Sequence, residues 1–98
     1  MARVEISERA LSDLERLFEY KARSDPALAR ERILSVRRAL ALLADHPLLG
    51  REAEEGRREL LLLRGPDGYV AKYRWIAAED VLLVLAVRHQ REVGYEEE

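Results

Sequence analysis

The 98-residue sequence is 48% hydrophobic and 37% charged, enough apolar content for one packed core and too much for a disordered chain. Its 17 basic and 19 acidic side chains leave a formal charge of −2, without the basic excess of a dedicated nucleic-acid-binding domain. Cysteine is absent, which excludes disulfides, zinc thiolates and thiol nucleophiles and suits a reducing cytoplasm.

No apolar run approaches the roughly 20 residues of a membrane helix. The stretch Met1 to Ser7 carries Arg3 and Glu5 and lacks the apolar region of a signal peptide, so a cytoplasmic protein is expected. His46 and His89 stand far apart, with no carboxylate at ligand spacing beside them. Neither a metal nor a cofactor is expected.

In chain order, Val4 and Ile6 alternate with Arg3 and Glu5, the period of a half-buried strand. Ser7 offers a helix N-cap. From Glu8 the apolar period lengthens to that of a helix ending near Arg23: Leu11, Leu14, Leu17 and Phe18, with Ala10 and Ala22, form one stripe. Arg9, Asp13, Glu15, Arg16 and Glu19 fill the polar side. Asp25-Pro26 caps and opens a second helix, whose stripe is Leu28, Ile33, Val36, Leu40 and Leu43 up to Ala44. Pro47 stops it, because the residue before proline is pushed out of helical dihedrals. So short a connection predicts an antiparallel helical hairpin. Leu34 and Leu42 lie off the second stripe and are expected to be exposed.

Leu48 to Arg57 reads as a loop whose Glu52, Glu54 and Glu55 are expected to be solvated. Leu60 to Leu63 is a continuous apolar run, predicting a strand covered on both faces. Gly65-Pro66-Asp67-Gly68 is a turn. Tyr69, Ala71, Tyr73 and Trp75 alternate with Val70, Lys72, Arg74 and Ile76, and the aromatic face is expected to be core rather than a base-stacking platform. After Ala78 to Asp80 turns the chain, Val81 to Val87 predicts a central strand. The expected fold is a single α+β domain over residues 1–98, β-α-α-β-β-β, with the helical hairpin on one face of a mainly antiparallel sheet.

Five segments then point to a family. Ala10-Leu11-x-x-Leu14 opens the first helix, and His46-Pro47-Leu48-Leu49-Gly50-Arg51 follows the second. Arg58-Glu59-Leu60 and Gly68-Tyr69-Val70-Ala71-x-Tyr73-Arg74 span the central hairpin. The last is Val84-Leu85-Ala86-Val87-Arg88-His89-Gln90-Arg91-Glu92-x-Gly94-Tyr95. Together they resemble the RelE/ParE toxins of type II toxin–antitoxin systems, the last segment resembling members known as plasmid-stabilisation proteins.

The resemblance implies one of two activities. RelE-like members cut ribosome-bound messenger RNA through its 2′-hydroxyl; ParE-like members inhibit DNA gyrase. Fold alone cannot choose between them. RelE-like cleavage uses lysines on the second strand, an arginine after the glycine–tyrosine pair, and a basic residue and tyrosine near the C-terminus. Here that strand is Glu59-Leu60-Leu61-Leu62-Leu63, and Val70 follows Gly68-Tyr69.

The resemblance therefore favours a ParE-like gyrase inhibitor with no catalytic residues. It would be neutralised by a ParD-like, DNA-binding antitoxin in a hetero-oligomer, with Leu34 and Leu42 under the antitoxin. The alternative is a RelE-like endonuclease using Arg74, Arg88, His89, Arg91 and Tyr95: the arginines as phosphate ligands, histidine and tyrosine as acid and base. A third possibility is a relative that has lost toxicity and survives as a binding module.

Overall fold

The computed structural model describes residues 1–63, 65 and 67–91. Its elements are β1 (Arg3–Ile6), α1 (Glu8–Ser24), α2 (Pro26–Asp45), β2 (Arg51–Glu52), β3 (Arg58–Leu61), β4 (Tyr69–Ile76) and β5 (Val81–His89). The caps act as the sequence suggests. Ser7 Oγ accepts the Ala10 amide at 3.0 Å, Asp25 Oδ1 accepts that of Leu28 at 3.1 Å, and Pro26 opens α2. The Gly65–Gly68 turn is closed by the Gly68 amide on the Gly65 carbonyl at 3.1 Å.

The strands form one sheet in the order β1-β5-β4-β3-β2. β1 runs parallel to β5 and every other pairing is antiparallel. Both helices cover one face. Leu14 and Leu17 of α1 and Val36, Leu40 and Leu43 of α2 share a core with Tyr69, Ala71, Tyr73, Leu82, Val84 and Val87. Val81 to Val87 is thus an inner strand, and the β4 aromatic face is core, as expected.

Four expectations need correction. The segment 48–57 is not all loop: Arg51–Glu52 pairs with β3 and a 3-10 turn follows at Glu54–Gly56, so the sheet has a fifth strand. Two residues of strand between turns carry no readable period. The leucine strand is covered on one face only, since Leu61 is 42% exposed. On α1, Leu11 is exposed while Asp13 is 4% exposed. On α2, Ile33 is exposed and Ala29 is buried. The helices contact each other and the sheet through narrower stripes than composition implies.

Two polar devices fix this arrangement. In the β4–β5 ladder Lys72 pairs with Ala86 but Tyr73 with Val84, which leaves Leu85 as the extra residue of a bulge. The start of α1 serves the bulge: Ser7 Oγ donates to the Leu85 carbonyl at 3.1 Å, and the Ser7 amide to that of Val84 at 3.0 Å. At the other end of the sheet, the Tyr73 hydroxyl donates to Pro47 O at 2.7 Å and accepts the Gly50 amide at 2.9 Å. Burial pushes this phenol's pKa up. A Cβ on Gly50 would lie 2.7 Å from both the Tyr73 ring and the Glu59 carbonyl, so this close approach needs glycine.

Candidate functional site

Side chains directly opposite across a sheet share a face, and the register therefore sorts the candidates. Tyr69 pairs with His89, and Leu60 with Ala71, on the helix-covered face. The neighbouring pairs point the other way. One row of the uncovered face is Leu61–Val70–Arg88, and the next is Arg51–Glu59–Lys72–Ala86. An open cleft of about 360 Å³ lies here, lined by Arg51, Glu59, Leu61, Val70, Arg88 and Gln90 among others.

Charges on this face are paired. Arg51 Nη2 binds Glu59 Oε1, and Lys72 Nζ binds Glu54 Oε2 at 2.7 Å. On the other face of these strands Arg58, opposite Tyr73, has its Nη2 3.5 Å from Glu52 Oε2, and at the adjoining turn Arg57 Nη1 is 3.2 Å from Glu55 Oε1. Arg74 Nη2 donates to the Glu55 carbonyl at 3.2 Å. The acidic loop residues are exposed, as expected, and serve in addition as counterions for basic side chains at this end of the sheet. The Lys72 ammonium, through its hydrogen bond, holds the Glu54 carboxyl below the usual carboxylate range.

His89 sits on the opposite side. Its Nε2 is 3.4 Å from Asp67 Oδ1, and its Nδ1 accepts the Arg91 amide at 3.0 Å. Both ring nitrogens are engaged, and the Arg91 contact fixes Nδ1 as the acceptor. Asp67 also meets Arg32 at 3.6 Å. The Arg32 guanidinium lies 5.6 Å from the Tyr69 ring centroid and donates to its hydroxyl at 3.4 Å. The His89 hydrogen bond, aided by Lys21, Arg32 and Arg91, holds the Asp67 carboxyl low.

Of the five residues of the nucleolytic alternative, the four that are described do not gather on one face. Arg88 lines the cleft; its Nη1 donates to the His89 and Gln90 carbonyls, both at 3.2 Å. His89 is on the covered face, Arg74 is farther along β4 beside Glu55, and Arg91 follows the end of β5. Tyr95 lies outside the described residues. Sequence reasoning missed Arg51 and Glu59, which sit in the loop and the leucine strand. Leu34 and Leu42, 49% and 53% exposed, stand about two turns apart on α2.

Comparison with known proteins identifies the group. The family model described as ParE toxin of the type II toxin–antitoxin system parDE matches residues 4–94. The chain belongs to the ParE toxin family. Among curated relatives of this ParE-family chain is Toxin RelE3 of Caulobacter vibrioides, 33% identical over 92 residues, covering 94% of the chain and 98% of the relative. The fold recurs in the chromosomal ParDE system of P. aeruginosa, with TM-score 0.73 and 20% identity over 91% of this chain and 96% of that one. It recurs also in the intact E. coli RelBE toxin–antitoxin complex, with TM-score 0.65 and 19% identity over 94% and 100%. The ParE-family chain is thus the toxin type of a type II system. Among its described residues no helix is long and apolar enough to cross a membrane, and no cluster of acidic residues and histidines could hold a metal ion.

Proposed function

We propose that this ParE-family chain is a cytoplasmic toxin that inhibits DNA gyrase by binding it, cleaves no RNA, and is neutralised by a small ParD-like antitoxin. The observation that carries this reading is the pairing of Val70 with Arg88 on the uncovered face, with Leu61 beside Val70. Cleavage through a 2′-hydroxyl needs a base, a cationic cradle for the pentavalent phosphate and an acid for the leaving oxygen. Next to Arg88 this row offers two apolar side chains. Among the described residues lining the cleft the other cation, Arg51, is bound to Glu59. His89, the natural acid–base candidate, points away with both nitrogens engaged.

The antitoxin follows from family membership, and the RelBE relative was solved as a toxin–antitoxin complex. Leu34 and Leu42 are the docking residues proposed here, since exposed leucines on the hairpin gain from an amphipathic cover. A supercoiling assay with purified gyrase, run beside translation with mRNA 5′-end mapping, tests the reading. Gyrase poisoning with intact mRNA is the expected result; ribosome-dependent cuts with unaffected gyrase would replace it.

The second reading, a RelE-like ribosome-dependent endonuclease, draws on one observation: Arg88 and Arg51 line the same cleft. In that case Arg88 holds the scissile phosphate, and Arg88→Ala abolishes the mRNA cuts.

A further inference from the structure

Glu59 occupies an unusual place for a carboxylate. It stands on β3, directly opposite Arg51 on β2 and directly opposite Lys72 on β4, and its side chain is only 12% exposed. Lys72 in turn reaches Glu54 at 2.7 Å. Across three strands and the adjoining 3-10 turn the charges therefore read plus, minus, plus, minus. Opposite charges facing across strands attract, so the row is also a stable piece of sheet.

From this row we infer that Glu59 and Glu54 are specificity-determining residues, built-in counterions that close the uncovered face to nucleic acid. Polyanion binding draws its free energy from basic side chains that neutralise phosphates and release condensed counterions. Arg51 and Lys72 must first leave a carboxylate to do this. The carboxylates would then remain beside the incoming phosphates, well inside the roughly 8 Å over which salt screens at physiological ionic strength. Neutral residues at 54 and 59 would take these two carboxylates from Arg51 and Lys72, on the face whose cleft Arg88 also lines. Two acidic side chains thus separate a face suited to a protein surface from one suited to RNA.

Because this selectivity presumes a face not built for RNA, it rests on the functional reading above. A failed supercoiling assay would remove gyrase as target and leave the charge masking untouched. The test is anisotropy of a labelled single-stranded RNA of mixed sequence, with the purified full chain. Wild type and the charge-matched control Glu15→Gln/Glu19→Gln, altered at exposed positions of α1, bind with the same weak, measurable affinity. Glu54→Gln/Glu59→Gln gains about tenfold or more in affinity. Two newly active cations give a log–log salt slope near −1.4, about a sevenfold loss between 50 and 200 mM salt. Adding Lys72→Gln removes about half of that slope. If Glu59→Gln lowers the thermal midpoint sharply, Glu54→Gln alone, at an exposed residue, carries the measurement with a gain of about threefold. No gain in either folded variant overturns the inference. So does an equal gain in the control, which would make bulk charge the cause, or wild-type affinity equal to the double variant's.

Discussion

The carboxylate of Asp13 accepts the backbone amide of Val87 at 2.8 Å, at a point where β1, paired with β5 only as far as Ile6 and Val84, has already ended. A side chain on α1 does there what a neighbouring strand would do. Arg9 Nε, on a side chain 13% exposed, binds the other carboxylate oxygen at 3.2 Å. Asp13→Ala would leave an amide and a guanidinium buried together without an acceptor. We predict a loss of about 3–5 kcal/mol in urea unfolding, the usual cost of removing one member of a buried charged pair. Asp13→Asn, which can still accept from Val87, should lose less. Equal stability of Asp13→Ala and wild type would show that the amide finds another partner.

Tyr73→Phe should cost about 1–3 kcal/mol, because the buried hydroxyl serves both Pro47 O and the Gly50 amide. Gly50→Ala should cost a similar amount or more, since its Cβ meets backbone at Glu59 as well as the Tyr73 ring. Thermal melts of the two single variants check this. The double variant should fall short of the summed losses, because both changes break one contact.

Stability should decline at both ends of the pH scale. The folded-state pKa values of Glu54 and Asp67 are lowered, by Lys72 and His89 first. Their contribution is present above the unfolded carboxylate values near 4 and disappears as pH falls through the lower folded values. The Tyr73 value is raised by burial. Its contribution is full below the unfolded phenol value of about 10 and is lost as pH climbs past it toward the folded value. Thermal midpoints from pH 3 to 11 test the pattern: Glu54→Gln/Asp67→Asn should flatten the acid limb and Tyr73→Phe the alkaline limb.

His89→Ala should have little effect on growth inhibition, since the imidazole faces the helices and uses both nitrogens structurally. Induction plates for wild type and variant at matched expression decide it. A toxin silenced by this change while still folded would return the imidazole to the chemistry.

Leu34→Glu/Leu42→Glu should weaken the antitoxin complex by about tenfold or more. Exposed substitutions usually move stability by no more than about 0.5 kcal/mol, so the free toxin should melt as before. Calorimetric titration with the antitoxin reads the effect. Unchanged affinity would put the docking surface elsewhere.

Much of the fold was legible because its signals are local. Ser7, Asp25-Pro26 and Pro47 mark helix ends within a few residues of where they act, and the β4 aromatics alternate cleanly. Asp13 was not legible: it sits among charged neighbours on α1, and the amide that buries it is on β5, 74 positions away. Leu11 failed for the complementary reason, since it is half exposed although its spacing fits the stripe. The site was partly readable. Arg88 and His89 are consecutive in a strand, and period two alone assigns them to opposite faces; treating them as one cluster overlooked that. The Arg51–Glu59 pair depends on a two-residue strand and on register, which composition does not encode.

The parallel pairing of β1 with β5 also shapes how the molecule comes into being. Ser7 and Leu85, joined through a side chain and a carbonyl, are 78 positions apart, and Arg3 must find Val81. Contacts of such long sequence separation form late, after loop-closure entropy has been overcome. On a translating ribosome the first strand waits unpaired until the last has emerged. The five-stranded sheet is therefore completed only once β5 has been made, long after β1 and both helices.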